Sequence, residues 1–134
     1  MKKEQKRLSG LEWEVMEGVW QVNEKASPYG ITVREVHDRL YPNGEKAYTT
    51  VQTVMNILHE KESLTRKKIG MVNFYNLTVS REEMAQQETR SLVQRAFGGS
   101  FMALANHLVD SGSLSEKDMR TLKGMIDAQA RSKK

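Results

Sequence analysis

The chain has 134 residues, a formal net charge of +4 and no cysteine, with a sequence pI of about 9.4. That length suits one ordinary domain, or a small domain with an appendage. Without cysteine there is no disulfide, thiolate metal site or cysteine nucleophile, and the mild basic excess permits a polyanionic partner without establishing one.

The first residues, M-K-K-E-Q-K-R-L, lack an apolar core, and no stretch approaches the roughly 18 apolar residues of a membrane span. The expectation is a soluble, cytoplasmic protein. Both prolines, Pro28 and Pro42, lie in the first third, so the rest is free of the strongest helix breaker.

Four segments open with a hydroxyl followed three residues later by an acid: Ser9/Glu12, Thr32/Glu35, Ser80/Glu83 and Ser115/Asp118. In that spacing the hydroxyl caps the first turn and the acid reaches back, which marks helix starts. The first helix is predicted over Ser9 to Val22, with Leu11, Val15 and Val19 in one stripe and Trp13, Met16 and Trp20 beside it. A turn-rich connection leads to a short second helix, Thr32 to Leu40, with Val33, Val36 and Leu40 inward. Tyr41-Pro-Asn-Gly44 is a turn signal. The third helix lies within Ala47–Leu64 and carries Val51, Val54, Met55 and Leu58 on its apolar stripe. Thr49/Gln52 also fits the capping pattern, leaving its first residue open by about two.

After Leu64 the sequence turns β-branched and aromatic. Leu64–Ile69 and Met71–Val79, parted by Gly70, read as a β-hairpin with Arg66, Lys67 and Lys68 near its tip. From Ser80 onward the pattern is helical again. One helix reaches about Phe97, Gly98-Gly99 breaks it, a short helix carries Phe101, Leu104, Leu108 and Val109, and a last one carries Met119, Leu122, Met125 and Ile126. The final residues, Ala130 to Lys134, are expected to fray. The expected class is mainly α: an N-terminal winged helix-turn-helix over 1–79, three helices plus a hairpin wing, and dimerisation helices over 80–134. The C-terminal stripes are too small for a core of their own, and a second copy of the chain is the expected partner.

The outer face of the third helix is unusual. It carries Thr49, Gln52, Thr53 and Asn56 with almost no charge until Glu60, although Thr and Asn are poor helix formers. Thr on a helix surface is common and has a bland reading. Beside a hairpin, however, Gln52 and Asn56 offer amides suited to adenine edges, and Thr49, Thr50 and Thr53 offer hydroxyls and methyls. Arg66, Lys67 and Lys68 are by default a solvated cluster, but on a wing they suit phosphates. Tyr75 is read as within reach of a phosphate, whereas Trp13, Trp20 and Phe74 are read as core. Segment charge adds little. Residues 45–79 hold five basic and three acidic side chains, so placement matters more than bulk charge. His37, His59 and His107 are scattered and give no metal site, and no nucleophile elbow or phosphate loop is present. No cofactor and no enzymatic activity are expected.

Leu11-Glu-Trp-Glu-Val-Met16 with Val19-Trp20, then Ala47-Tyr-Thr-Thr-Val-Gln-Thr-Val-Met-Asn56, then a basic wing ending in Phe74-Tyr75, resemble the penicillinase repressor family. This is the group of bacterial repressors of β-lactamase and methicillin-resistance genes, with copper-responsive relatives. The similarity extends to Gly99-Ser-Phe101 and Leu114–Asp118. The resemblance implies a dimeric winged-helix repressor on an inverted-repeat operator. It implies DNA contacts from Thr49, Thr50, Gln52, Thr53, Asn56 and Arg66 to Lys68, and a dimer interface of Leu92, Phe97, Phe101, Leu104, Leu108, Leu122 and Ile126.

The chain departs from the family pattern in several places. Ile57 stands where many members have Arg, and Glu62-Ser63 where many have Gly. The absent cysteines exclude the copper relatives' sensing device. Members that respond to β-lactams are cleaved at an Asn-Phe bond by a membrane sensor protease, and the aligned bond here is Asn106–His107. The favoured expectation is a homodimeric DNA-binding repressor, released in one version by proteolysis. The alternatives are a winged-helix dimer acting as a protein–protein adaptor, and a regulator gated by a ligand in a Met-rich C-terminal bundle.

Overall fold

The computed structural model describes residues 7–25 and 27–133. The reading of the first six residues, and the end of the tail at Lys134, lie outside the described residues. The described residues form α1 (Gly10–Asn23), α2 (Val33–Leu40), α3 (Tyr48–Glu60), β1 (Leu64–Ile69), β2 (Val72–Leu77), α4 (Arg81–Ala96), α5 (Phe101–Asp110) and α6 (Glu116–Ser132). This is the order of a winged helix, and the molecule is mainly α. The chain divides into two compact units, Met1–Gln87 and Glu88–Lys134, so the second begins within α4.

All four capping boxes form. In α1, α2 and α6 the hydroxyls of Ser9, Thr32 and Ser115 accept from the backbone three residues on, and Glu12, Glu35 and Asp118 reach back. Ser80 and Glu83 do the same for α4. The Thr49/Gln52 pattern does not form a cap: α3 begins at Tyr48, ahead of the Thr50 start that a Thr49 cap would give, and its N-cap is Ala47, which offers no side-chain acceptor.

The first unit has one core, and the predicted stripes line it. Val15, Met16 and Val19 of α1, Val33 and Val36 of α2, and Val51, Val54, Met55 and Leu58 of α3 are buried together with Ile31, Leu64 and Tyr75. Trp13 and Trp20 pack on its edge with ring centroids 6.1 Å apart, and the Trp20 indole donates to the Val79 carbonyl at 3.3 Å. The start of α4 closes the unit. Met84 joins the core, Arg81 pairs with Glu17, and the same guanidinium lies 5.3 Å from the Trp20 ring centre. Gly18 allows α1 to approach α2, since a Cβ there would sit 2.7 Å from Leu40 Cδ1.

β1 and β2 pair antiparallel, Leu64 opposite Leu77 through Ile69 opposite Val72. The turn is the pair Gly70-Met71, so β2 begins at Val72 and ends at Leu77 rather than spanning Met71–Val79. Ile31 adds a one-residue third strand. Its N–H donates to the Tyr75 carbonyl at 2.8 Å and its carbonyl accepts from the Tyr75 N–H at 2.7 Å. Phe74, expected in the core, is only half-buried and packs on Tyr29 at 5.9 Å, because the pleat turns it to the face opposite Tyr75.

In the second unit Val93 is buried, and the Phe97 and His107 rings meet at 5.6 Å. Most large apolar side chains of α5 and α6 are exposed, Phe101 at 55% and Ile126 at 59% among them. Leu122, Met125, Ile126, Gln129, Ala130 and Lys133 line an open groove of about 490 Å³ along α6. The helix holds through Ser132.

Candidate nucleic-acid interface

α3 is held by its apolar face and by its C-terminal end. Lys61, its C-cap residue, ion-pairs with Glu12 of α1 and donates to the Arg7 carbonyl at 3.0 Å. Burial would raise the Glu12 carboxyl, but the Lys61 ammonium and the Ser9 groups outweigh it and hold Glu12 below its ordinary value of 4.5. The chain then turns back through a C-terminal motif in which the Ser63 N–H donates to the Leu58 carbonyl at 2.9 Å. Glu62 takes the left-handed conformation this motif requires, at φ 66°.

With that face fixed inward, Thr49, Gln52 and Thr53 stand exposed on the opposite side. Thr50 is half-buried. With Ser9, Leu11, Glu12, Thr53 and Ile57 it borders a groove of about 420 Å³ between the start of α1 and α3. Among the described helices other than α3, each has a side-chain cap at its N-terminus. In the first turn of α3 the Thr50 N–H donates to the Ala47 carbonyl at 3.1 Å, and the N–H groups of Tyr48 and Thr49, with no side-chain cap, can meet an anion.

The wing splits the predicted basic triplet. Arg66 lies opposite Tyr75 and Lys68 opposite Asn73, so these two share a face, while Lys67, opposite Phe74, points the other way. Arg66 is also four residues from the Gly70-Met71 turn, not near the tip. The exposed tip is Met71, 91% accessible.

Two sequence expectations change where the wing meets α3. Tyr75 is fully buried and its hydroxyl donates to Asn56 Oδ1 at 2.7 Å, so it does not reach a phosphate. Burial raises its phenol above the ordinary value, against the pull of the Arg66 charge. Asn56 is not a free amide either, for Arg66 Nη1 donates to the same oxygen at 3.0 Å. Strand alternation around Leu64 and Leu77 would have put position 75 on the inner face; the partner it meets there could not be read from either segment alone.

Sequence reasoning missed Arg34 and Tyr48. The Arg34 guanidinium lies 5.4 Å from the Tyr48 ring centre at the start of α3, and both are exposed. They come from different helices, and no local pattern links them. His37 and His59 are structural: their ring nitrogens lie 2.7 Å from the Lys46 carbonyl and 3.1 Å from the Leu64 carbonyl. Among the described residues no group of three His, Asp or Glu could hold a metal ion. No helix there is long and apolar enough to cross a membrane.

Asn106 and His107 are exposed near the middle of α5. The bond between them is therefore helical rather than extended.

A family model described as penicillinase repressor matches residues 8–128. The chain is 32% identical to the transcriptional regulator BlaI of Mycobacterium tuberculosis over 113 residues, 84% of this chain and 78% of that one. It is 20% identical to the penicillinase repressor of Staphylococcus aureus over 127 residues, 95% of this chain and 96% of that one. It is 22% identical to the methicillin resistance regulatory protein MecI of Mammaliicoccus sciuri over 120 residues, 90% and 93% of the two chains.

Proposed function

The chain belongs to the penicillinase repressor family, and from that premise we propose that it is a cytoplasmic DNA-binding transcriptional repressor acting as a homodimer on an inverted-repeat operator. It is a regulator and not an enzyme. The observation that carries the reading is the outward face of α3, where Thr49, Gln52 and Thr53 are exposed and uncharged while Val51, Val54, Met55 and Leu58 anchor the helix beneath. Residues 1–79 are the DNA-binding part. Gln52 and the threonines read bases, and Arg66, Lys68 and the open start of α3 contact phosphates. Residues 80–134 are the dimerisation part, supported by the exposed apolar faces of α5 and α6. A dimer presents two reading helices to two half-sites about one helical turn apart.

Release by a membrane sensor protease at Asn106–His107 fits this reading under one condition. A protease that takes extended substrate must first unwind the middle of α5, so cleavage depends on local opening of that helix.

The test is fluorescence-anisotropy binding of the chain to its own upstream duplex and to a scrambled duplex at several salt concentrations. The expected result is preference for the upstream duplex with affinity falling steeply with salt, as phosphate neutralisation demands. Gln52→Ala should cost about 1–3 kcal/mol on the preferred duplex and relax base preference at one position. Binding that ignores both sequence and salt would instead favour a protein–protein adaptor.

A further inference from the structure

We propose that Tyr75 is a positioning residue for sequence reading: its hydroxyl, together with Arg66, occupies the Asn56 amide oxygen and makes Asn56 a donor-only reader. The proposal rests on the repressor reading above and deepens it. An arginine can only donate, so the Asn56 atom 3.0 Å from Arg66 Nη1 must be the oxygen. The Tyr75 hydroxyl, 2.7 Å from the same atom, donates as well. The two lone pairs of that oxygen are thus both engaged. A bidentate contact to adenine needs the oxygen to accept from N6 while the nitrogen donates to N7. Asn56 has lost the first half of that contact and keeps the second. It can donate to the N7 of either purine, to guanine O6, to thymine O4 or to a phosphate, and it cannot single out adenine.

Tyr75 is well placed to impose this. It is fully buried, both of its backbone groups pair with Ile31, and it faces Arg66 across the hairpin. The same oxygen holds Arg66 against α3, so wing and reading helix approach DNA in fixed relation.

The experiment selects bound duplexes from a randomised pool with the full-length wild type, Tyr75→Phe and Asn56→Asp, then measures affinities for the selected and a scrambled duplex. Tyr75→Phe removes one hydroxyl and leaves the ring in the core. By freeing a lone pair for adenine N6 it is expected to raise the preference for adenine at the position facing Asn56 and to weaken the wild-type site about tenfold, with the scrambled duplex unchanged. Asn56→Asp keeps oxygens for Tyr75 and Arg66 but has no donor, so its melting temperature should hold while base preference at that position is lost. A stability role alone would move neither base preference. The proposal is overturned if Tyr75→Phe selects the wild-type site with wild-type affinity, or weakens both duplexes alike. If the wild type enriches no site at all, the repressor reading fails, and this proposal with it. If the wild type enriches a site that Tyr75→Phe and Asn56→Asp read identically, this proposal fails alone.

Discussion

Glu62 holds φ 66° at the end of α3, a conformation that costs a residue with a Cβ about 1–2 kcal/mol. Its carbonyl accepts from the Thr78 hydroxyl at 2.6 Å, an interaction that glycine would keep. Glu62→Gly removes an acid beside α3, the helix proposed above to read bases, so DNA affinity at low salt is expected to rise. Side chains with one local partner were legible in the sequence: Ser9, Thr32, Ser80 and Ser115 each cap a helix as their spacing announces. Asn56 and Tyr75 were not, because their partner lies 19 residues away and neither segment carries a sign of the other. Thr49 misled, since the motif matched while Ala47 and Tyr48 had already started the helix.

At the scale of elements, α1 and α3 are joined by burial and by the Glu12–Lys61 pair, whose side chains are 12% and 19% exposed. Glu12 titrates below its ordinary 4.5 in the folded chain. Its contribution is therefore complete above the unfolded carboxyl value and is lost as pH falls through the lower folded value. Lys61→Met should cost about 1–3 kcal/mol at neutral pH. The gap between the two melting curves should close once the carboxyl is protonated. A gap that persists at pH 2 would mean that the Arg7 carbonyl contact or packing, rather than the pair, carries the effect. The helices were legible as elements because each apolar stripe spans several turns. The Ile31 strand was not, because one residue has no periodicity and its pairing with Tyr75 runs through backbone groups alone.

For the whole molecule, the second unit leaves Phe101, Leu122, Met125 and Ile126 facing outward, a pattern that folded chains cover with a partner. Ile126→Glu is expected to convert a dimer into a monomer in sedimentation equilibrium. It should weaken operator binding at least tenfold while leaving the melting of the first unit unchanged, since two linked half-sites bind far more tightly than one. A monomeric wild type would remove the dimer proposal and leave the first unit's reading face intact. Net charge is too small, +4 over 134 residues, to make this chain a general polyanion binder, so affinity must come from local placement of cations.

The backbone of Tyr75 belongs to the sheet with Ile31, and its hydroxyl belongs to α3. If Asn56 reads bases as proposed, base preference is consequently not a portable module. A chimera that received Tyr48–Glu60 alone would carry Asn56 with its oxygen free, and would read like an ordinary asparagine. Transplanting this chain's preference into another scaffold would take the helix, Arg66 and Tyr75 together. A lineage that lost the tyrosine hydroxyl would drift toward new operators without changing a single residue of the reading helix.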